Sequence, residues 1–155
     1  MSLIDPHVLM VPGEVQGKGR PRLTRGGRAY TPKKTREWQE RAVRALKTQW
    51  AGDAWEGPLR VDVLGIKTRP KRLHRRKDPA GLIWRTAKPD RDNVDKIALD
   101  SLVKAGIIKD DIYVTCGQVT SWFCEKGGEP RTVIILSRAP PEIDILGELG
   151  MLSSK

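Results

Sequence analysis

Hydrophobic residues recur along this chain with two different periods. The run His7 to Val15 (HVLMVPGEV) reads as a first strand, and Pro12 within it points to a sheet edge or a bulge. Pro58 to Thr68 alternates, with Leu59, Val61 and Val63 on one face of a second strand. Ile112 to Glu125 and Arg131 to Ser137 read as two further strands, joined across Gly127-Gly128 as a hairpin. Between these lie two segments of helical period. Trp38, Ala42, Ala45, Leu46 and Gln49 mark one face of a helix from Thr31-Pro32 to about Trp50, with Thr31 as N-cap, Pro32 in the first turn and Gly52 after its end. Val94, Ile97, Ala98, Ser101, Leu102 and Ala105 mark the inward face of a second helix, capped by Asp92 or Asn93 and stopped by Gly106.

Two stretches have no period. Gly17 to Arg28 (GKGRPRLTRGGR) lacks the strand-turn-helix pattern of a phosphate-cradling loop, so its glycines are read as granting flexibility. Arg69 to Lys88, with Pro70 and Pro79 inside it and Pro89 directly after, is expected to be a mobile loop that orders on its ligand. These elements predict an α+β fold: one domain over residues 1–138, with a mixed sheet of about four strands packed on two main helices. Residues 139–155 form a peripheral tail in which Ile143 to Leu152 has the makings of a short helix. A chain of 155 residues has room for one modest core.

Charge changes the picture more than composition does. Lys and Arg total 29 against 19 Asp and Glu, and the excess is concentrated. From Lys67 to Lys77 (KTRPKRLHRRK) there is no acidic residue, and Lys18 to Lys47 is basic apart from Glu37 and Glu40. Such runs are either solvated surface or a phosphate-binding track. The candidate contacts are Lys18, Arg20, Arg22, Lys33, Lys34, Arg69, Lys71, Arg72, Arg75, Arg76 and Lys77. Cys116 and Cys124, read on one strand about 26 Å apart, are too far from each other for a disulfide and have no neighbouring His for zinc. They fit a reduced, cytoplasmic protein. No run approaches the length of a membrane span, and the N-terminus lacks a signal-peptide pattern.

After the basic tracts stands Lys88-Pro-Asp-Arg-Asp-Asn-Val-Asp-Lys96, followed by Asp110-Asp111. Asp90 and Asp92, if extended, leave the backbone on one side within ~7 Å, a spacing at which a hard divalent cation bridges two carboxylates. Oxygen ligands with few histidines select Mg2+, or Mn2+ as a substitute, and such ions hydrolyse phosphodiesters. Lys96 projects from the same side of the helix and would neutralise charge in the transition state. Each residue also has a plain structural reading: Asp92 as a cap paired with Lys96, Asp110-Asp111 as a turn, Asp95 and Asp100 as solvent-facing, with Asp100 a supporting candidate on the Lys96 side. Trp38, Trp50, Trp55, Trp84 and Trp122 read as core or interface, though Trp84, inside the basic loop, is placed to stack on an unpaired base.

KPDRDNVDKIALDSLVKAGIIKDD resembles the signature of the RusA family of Holliday junction resolvases of bacteria and bacteriophages, in which D-x-D-N-x-x-K opens a helix and an acidic pair precedes a strand. GKGRPR followed by YTPKKT resembles the N-terminal part of many members. The resemblance implies a Mg2+-dependent endodeoxyribonuclease of DNA recombination and repair, a homodimer that nicks a four-way junction symmetrically. It places the essential metal-holding aspartates on Asp90, Asp92 and Asp111, the essential lysine on Lys96, and a supporting role on Asp110. The basic insert Arg69 to Lys88 and the tail depart from the family pattern. A non-catalytic branched-DNA-binding protein and a broader flap or fork nuclease are the rival readings.

Overall fold

The computed structural model describes residues 6–141. In chain order the elements are β1 (His7–Pro12), β2 (Arg22–Leu23), β3 (Ala29–Tyr30), α1 (Lys33–Gln49), β4 (Leu59–Lys67), β5 (Ile83–Trp84), α2 (Arg91–Lys104), β6 (Val114–Cys116), β7 (Val119–Phe123) and β8 (Arg131–Arg138). Six strands form one mixed sheet in the order β1-β8-β4-β7-β5, with β6 also pairing β4, while β2 and β3 make a separate ribbon. The architecture is α+β, as the pattern predicts, with two strands more in the main sheet than the four expected.

β4 is the hub. It runs antiparallel to β8 and parallel to β6 and β7. A parallel pair cannot be closed by a tight turn, and α2 lies on the path between β4 and β7. One face of the sheet presents Leu9 and Val11 from β1, Leu59, Val61 and Val63 from β4, and Ile134 and Leu136 from β8, all buried with Trp38, Ala42 and Leu46 of α1 and Val94, Ile97, Ala98 and Leu102 of α2. Full burial of each Leu, Ile or Val stabilises by roughly 1.5–3 kcal/mol, so this layer rather than helix propensity holds both helices in place. Trp38 is buried, and its Nε1–H donates to the Glu14 carbonyl at 3.1 Å, which satisfies its polar edge. At the far end, His7, Trp50 and Trp55 meet edge to face and Arg138 lies 4.1 Å over the Trp55 ring.

β1 is an edge strand, so Pro12 removes no bond from the sheet interior. The hairpin across Gly127-Gly128 is not formed: β7 and β8 are separated by β4, which pairs with both. The expected strand Ile112 to Glu125 is instead a short 3-10 turn, β6 and β7. Gly117, at φ +135°, makes the break, because a Cβ there would fall 1.8 Å from the Val61 carbonyl oxygen. Cys116 and Cys124 therefore do not share a strand; both are free, the first exposed and the second buried. α1 begins at Lys33 with Pro32 at the cap, so Thr31 does not cap it. The helix expected in the tail lies outside the described residues. Among the described residues no helix is long and apolar enough to cross a membrane.

The segment 69–88 is folded rather than a loose loop. Arg69, buried, donates from Nε to the Cys124 carbonyl (2.8 Å) and from its terminal nitrogens to Leu73 (3.1 Å), Pro79 (2.7 Å) and Gly81. One guanidinium thus organises the whole lobe, and Arg69 is not free to meet a phosphate.

The end of α2 is equally specific. Gly106, at φ +73°, donates its N–H to Val103 (3.0 Å), and Ile107 donates to Leu102 (3.0 Å), paired bonds that close the helix with Ile107 and Leu102 both buried. A Cβ at Gly106 meets nothing within 4 Å. Gly106→Ala therefore tests backbone strain alone: it should destabilise by about 1 kcal/mol and lower Tm by about 2–4 °C. An unchanged melting curve would contradict this account of the turn that leads to Asp110.

Candidate active site

Every residue of the acidic block is set by α2. Asp90 stands at its N-cap with extended backbone (φ −68°, ψ 150°) and Asp92 in its first turn, so the two are not on an extended strand as the sequence spacing allowed. Neither Asp92 nor Asn93 is the cap, and the Asp90 side chain makes no capping bond, which leaves its carboxylate for other use. Lys96 lies one turn on, its ammonium 3.6 Å from Asp92. Asp90, Asp92, Asn93 and Lys96 line a groove with Lys18, Gly19, Arg20 and Pro21.

The GKGR loop forms the opposite wall through close packing, not flexibility. Gly17 is buried, and a Cβ on it would come within 2.9 Å of Pro89 and 3.1 Å of Asn93. That approach allows the Lys18 N–H to donate to the Asn93 carbonyl at 2.9 Å. The Lys18 side chain then runs along the helix and ion-pairs with Asp100. Asp92, Lys96 and Asp100 are spaced at successive turns of α2, so Asp92 and Asp100 are about 12 Å apart along its axis.

Asp111 belongs to the Asp100 end of this row. Its carboxyl pKa is raised, first by the hydrogen bond shared with Asp110, then by partial desolvation and by the charges of Asp110 and Asp100, with Lys18 opposing. Asp110 accepts the Ile112 N–H at 3.0 Å, capping the short turn Asp111–Tyr113. The aspartates thus fall into two groups with Lys18 between them. Among the described residues no three acidic, His or Cys side chains come together closely enough to hold a metal. The donor chemistry nonetheless suits a hard cation: exposed carboxylates, with Asp110, Asp111 and Asp100 repelling one another.

The predicted phosphate contacts separate into classes. Arg20, Arg22, Lys34, Lys71, Arg72, Arg76 and Lys77 are exposed and make no ion pair among the described residues, while Lys33 pairs loosely with Glu37 (3.6 Å) and Arg75 with Asp78 (3.2 Å). Lys18 is part of the carboxylate row and Arg69 of the lobe interior. Asp95 is not solvent-facing: half-buried, its pKa is raised by desolvation, with Arg91 opposing. Arg85 was not among the expected site residues. Buried against Gly65, it donates from Nη1 to the carbonyls of Ala87 and of Pro89 (3.3 Å), holding the strap that ends at Asp90. Its one sequence signal is a lone Arg beside a strand residue, which nothing local distinguishes from a surface cation.

A family model described as endodeoxyribonuclease RusA matches residues 12–137. The crossover junction endodeoxyribonuclease RusA of Aquifex aeolicus (strain VF5) is 32% identical over 88 residues, 56% of this chain and 56% of that relative. The match thus spans a little over half of the relative's length.

The raised pKa of Asp111 fixes the sign of a stability effect. A carboxyl whose folded pKa lies above its unfolded value favours folding when protonated, and that contribution is lost as pH rises through the folded pKa. Asp111→Asn in the metal-free protein should therefore raise Tm at pH 7, with the gain closing as pH falls below the ordinary carboxylate range. A variant less stable than wild type at pH 7 would assign Asp111 a structural role instead.

Proposed function

Because this chain belongs to the endodeoxyribonuclease RusA family, we propose that it cuts branched DNA, resolving four-way junctions by paired nicks in a Mg2+-dependent reaction during recombination and repair. The observation that carries this is the groove at the start of α2, where Asp90, Asp92 and Lys96 face the GKGR loop inside a strongly basic chain. Asp90 and Asp92, which share the groove, would hold the cation, with Mn2+ as a substitute; Asp111, the third aspartate of the family signature, lies by Asp100 about two helical turns away and would complete the set only by moving toward them. When bound, the ion polarises the phosphoryl oxygen and lowers the pKa of water. Lys96 neutralises charge developing on the phosphate, Lys18 orders the carboxylate row through Asp100, and Asp110 positions Asp111 through the turn it caps. A two-fold substrate cut at two symmetric points calls for a homodimer with one site per subunit. The setting we assign is the bacterial cytoplasm.

The phosphate track comprises Arg20, which lines the groove, with Arg22, Lys33 and Lys34 and the lobe cations Lys71, Arg72, Arg75, Arg76 and Lys77, all exposed. One observation favours the rival reading of a non-catalytic junction binder: Asp111 sits with Asp100, about two helical turns from Asp92.

Two experiments decide the matter. Labelled four-way junction, fork, flap and linear duplex incubated with Mg2+ or EDTA should show metal-dependent, symmetric nicks in the junction, and Asp90→Asn should slow cutting at least ~100-fold with junction binding retained. Tight binding without cleavage in any divalent metal would support the binder. Arg72→Ala with Arg76→Ala should flatten the slope of log K against log salt by about 1.8, at ~0.9 per lost phosphate contact. An unchanged slope would remove the lobe from the track.

A further inference from the structure

Trp84 is 67% exposed at the free edge of the sheet, although it stacks on Trp122 with ring centroids 3.7 Å apart and an interplanar angle of 19°. The lower ring is fixed, since Trp122 Nε1–H donates to Thr120 Oγ1 at 2.9 Å. One face of the Trp84 indole is covered and the other is bare. We propose that this pair is a base-stacking platform that takes one unpaired nucleobase of the branched DNA, a site additional to the carboxylate groove and resting on the nuclease reading above.

Three features select a base as the occupant. The platform is preformed, so little side-chain entropy is lost when an aromatic ring is added. It borders the most basic part of the protein: the lobe that leads into β5 carries Lys71, Arg72, Arg76 and Lys77, without ion pairs among the described residues, and Lys126 pins it beside β7 through the carbonyls of Arg75 (2.8 Å) and Asp78 (2.7 Å). Cations beside a bare indole suit a nucleotide, and they repel a second copy of a chain with net charge +10. Third, the platform is tied to the groove. Trp84 ends β5 and is exposed, while Arg85, next in the chain, is buried, donates its N–H to the Ser121 carbonyl at 3.0 Å and clamps the carbonyls of Ala87 and Pro89 just before Asp90. Six residues span at most ~20 Å, so the stacked base would lie within about six stacked base steps of Asp90.

The test uses the full chain in EDTA, as wild type, Trp84→Phe and Trp84→Ala, with three probes: oligo(dT), a four-way junction carrying 2-aminopurine at its crossover, and linear duplex. Trp84→Ala should weaken oligo(dT) and junction binding by roughly 5- to 100-fold, leave duplex binding within about twofold, and abolish quenching of the 2-aminopurine, with Trp84→Phe restoring most of each. Equal binding of oligo(dT) by wild type and Trp84→Ala would overturn the proposal. So would a loss equal in size on duplex, or a drop in molecular mass by sedimentation, which marks Trp84 as structural or as a subunit contact. The two readings fail separately: Trp84-dependent oligo(dT) binding with no cleavage in any metal removes the nuclease and leaves the platform. Junction cutting with binding indifferent to Trp84 does the reverse.

Discussion

The structure turns on β4 being shared. Its helix-facing side is buried by Leu59, Val61 and Val63, and its two edges are taken by an antiparallel neighbour and by parallel ones. The parallel pairing with β7 commits the chain to a crossover, and α2 occupies it. The position of α2 over the sheet then decides where its N-terminus opens and where the turn after Gly106 brings Asp110 and Asp111. The site is therefore a consequence of sheet order before it is a matter of local sequence.

Electrostatics divides the molecule into two regions. Along α2 the row Asp92, Lys96, Asp100 alternates in sign, and Lys18 from the facing loop completes it. Lys18 opposes the rise in the Asp111 pKa that the hydrogen bond with Asp110, desolvation and the neighbouring carboxylates produce. In the lobe, by contrast, the exposed cations stand largely unopposed, while the buried Arg69 spends its donors on four backbone carbonyls. The same residue type thus builds the scaffold and furnishes its charge, and burial decides which.

Much of the fold was legible because it depended on period. The faces of α1 and α2, the alternation of β4 and the stop at Gly106 are all local patterns, and each is present, except that Gln49 at the end of the α1 face is exposed. The hairpin across Gly127-Gly128 failed because a glycine pair between two apolar runs signals a turn and says nothing about which strand will lie alongside. Val119–Phe123 and Arg131–Arg138 are adjacent in sequence, and β4 lies between them. Gly17 looked like a flexible loop glycine, and only its approach to Pro89 and Asn93 shows it to be a contact.

The sequence by itself determined the chemistry: hard carboxylate donors in D-x-D-N-x-x-K, a lysine one turn on, an acidic pair beyond the helix, and the basic tracts around them. These follow from residue identity and from spacing along a single helix, which a chain carries wherever it folds. The tertiary structure alone decided that Asp111 keeps company with Asp100 and Lys18, that Arg69 is interior and that Arg85 holds the approach to Asp90. Such facts depend on contacts between residues far apart in the chain, set by sheet order and by how closely a glycine lets two backbones meet, and no local period encodes them.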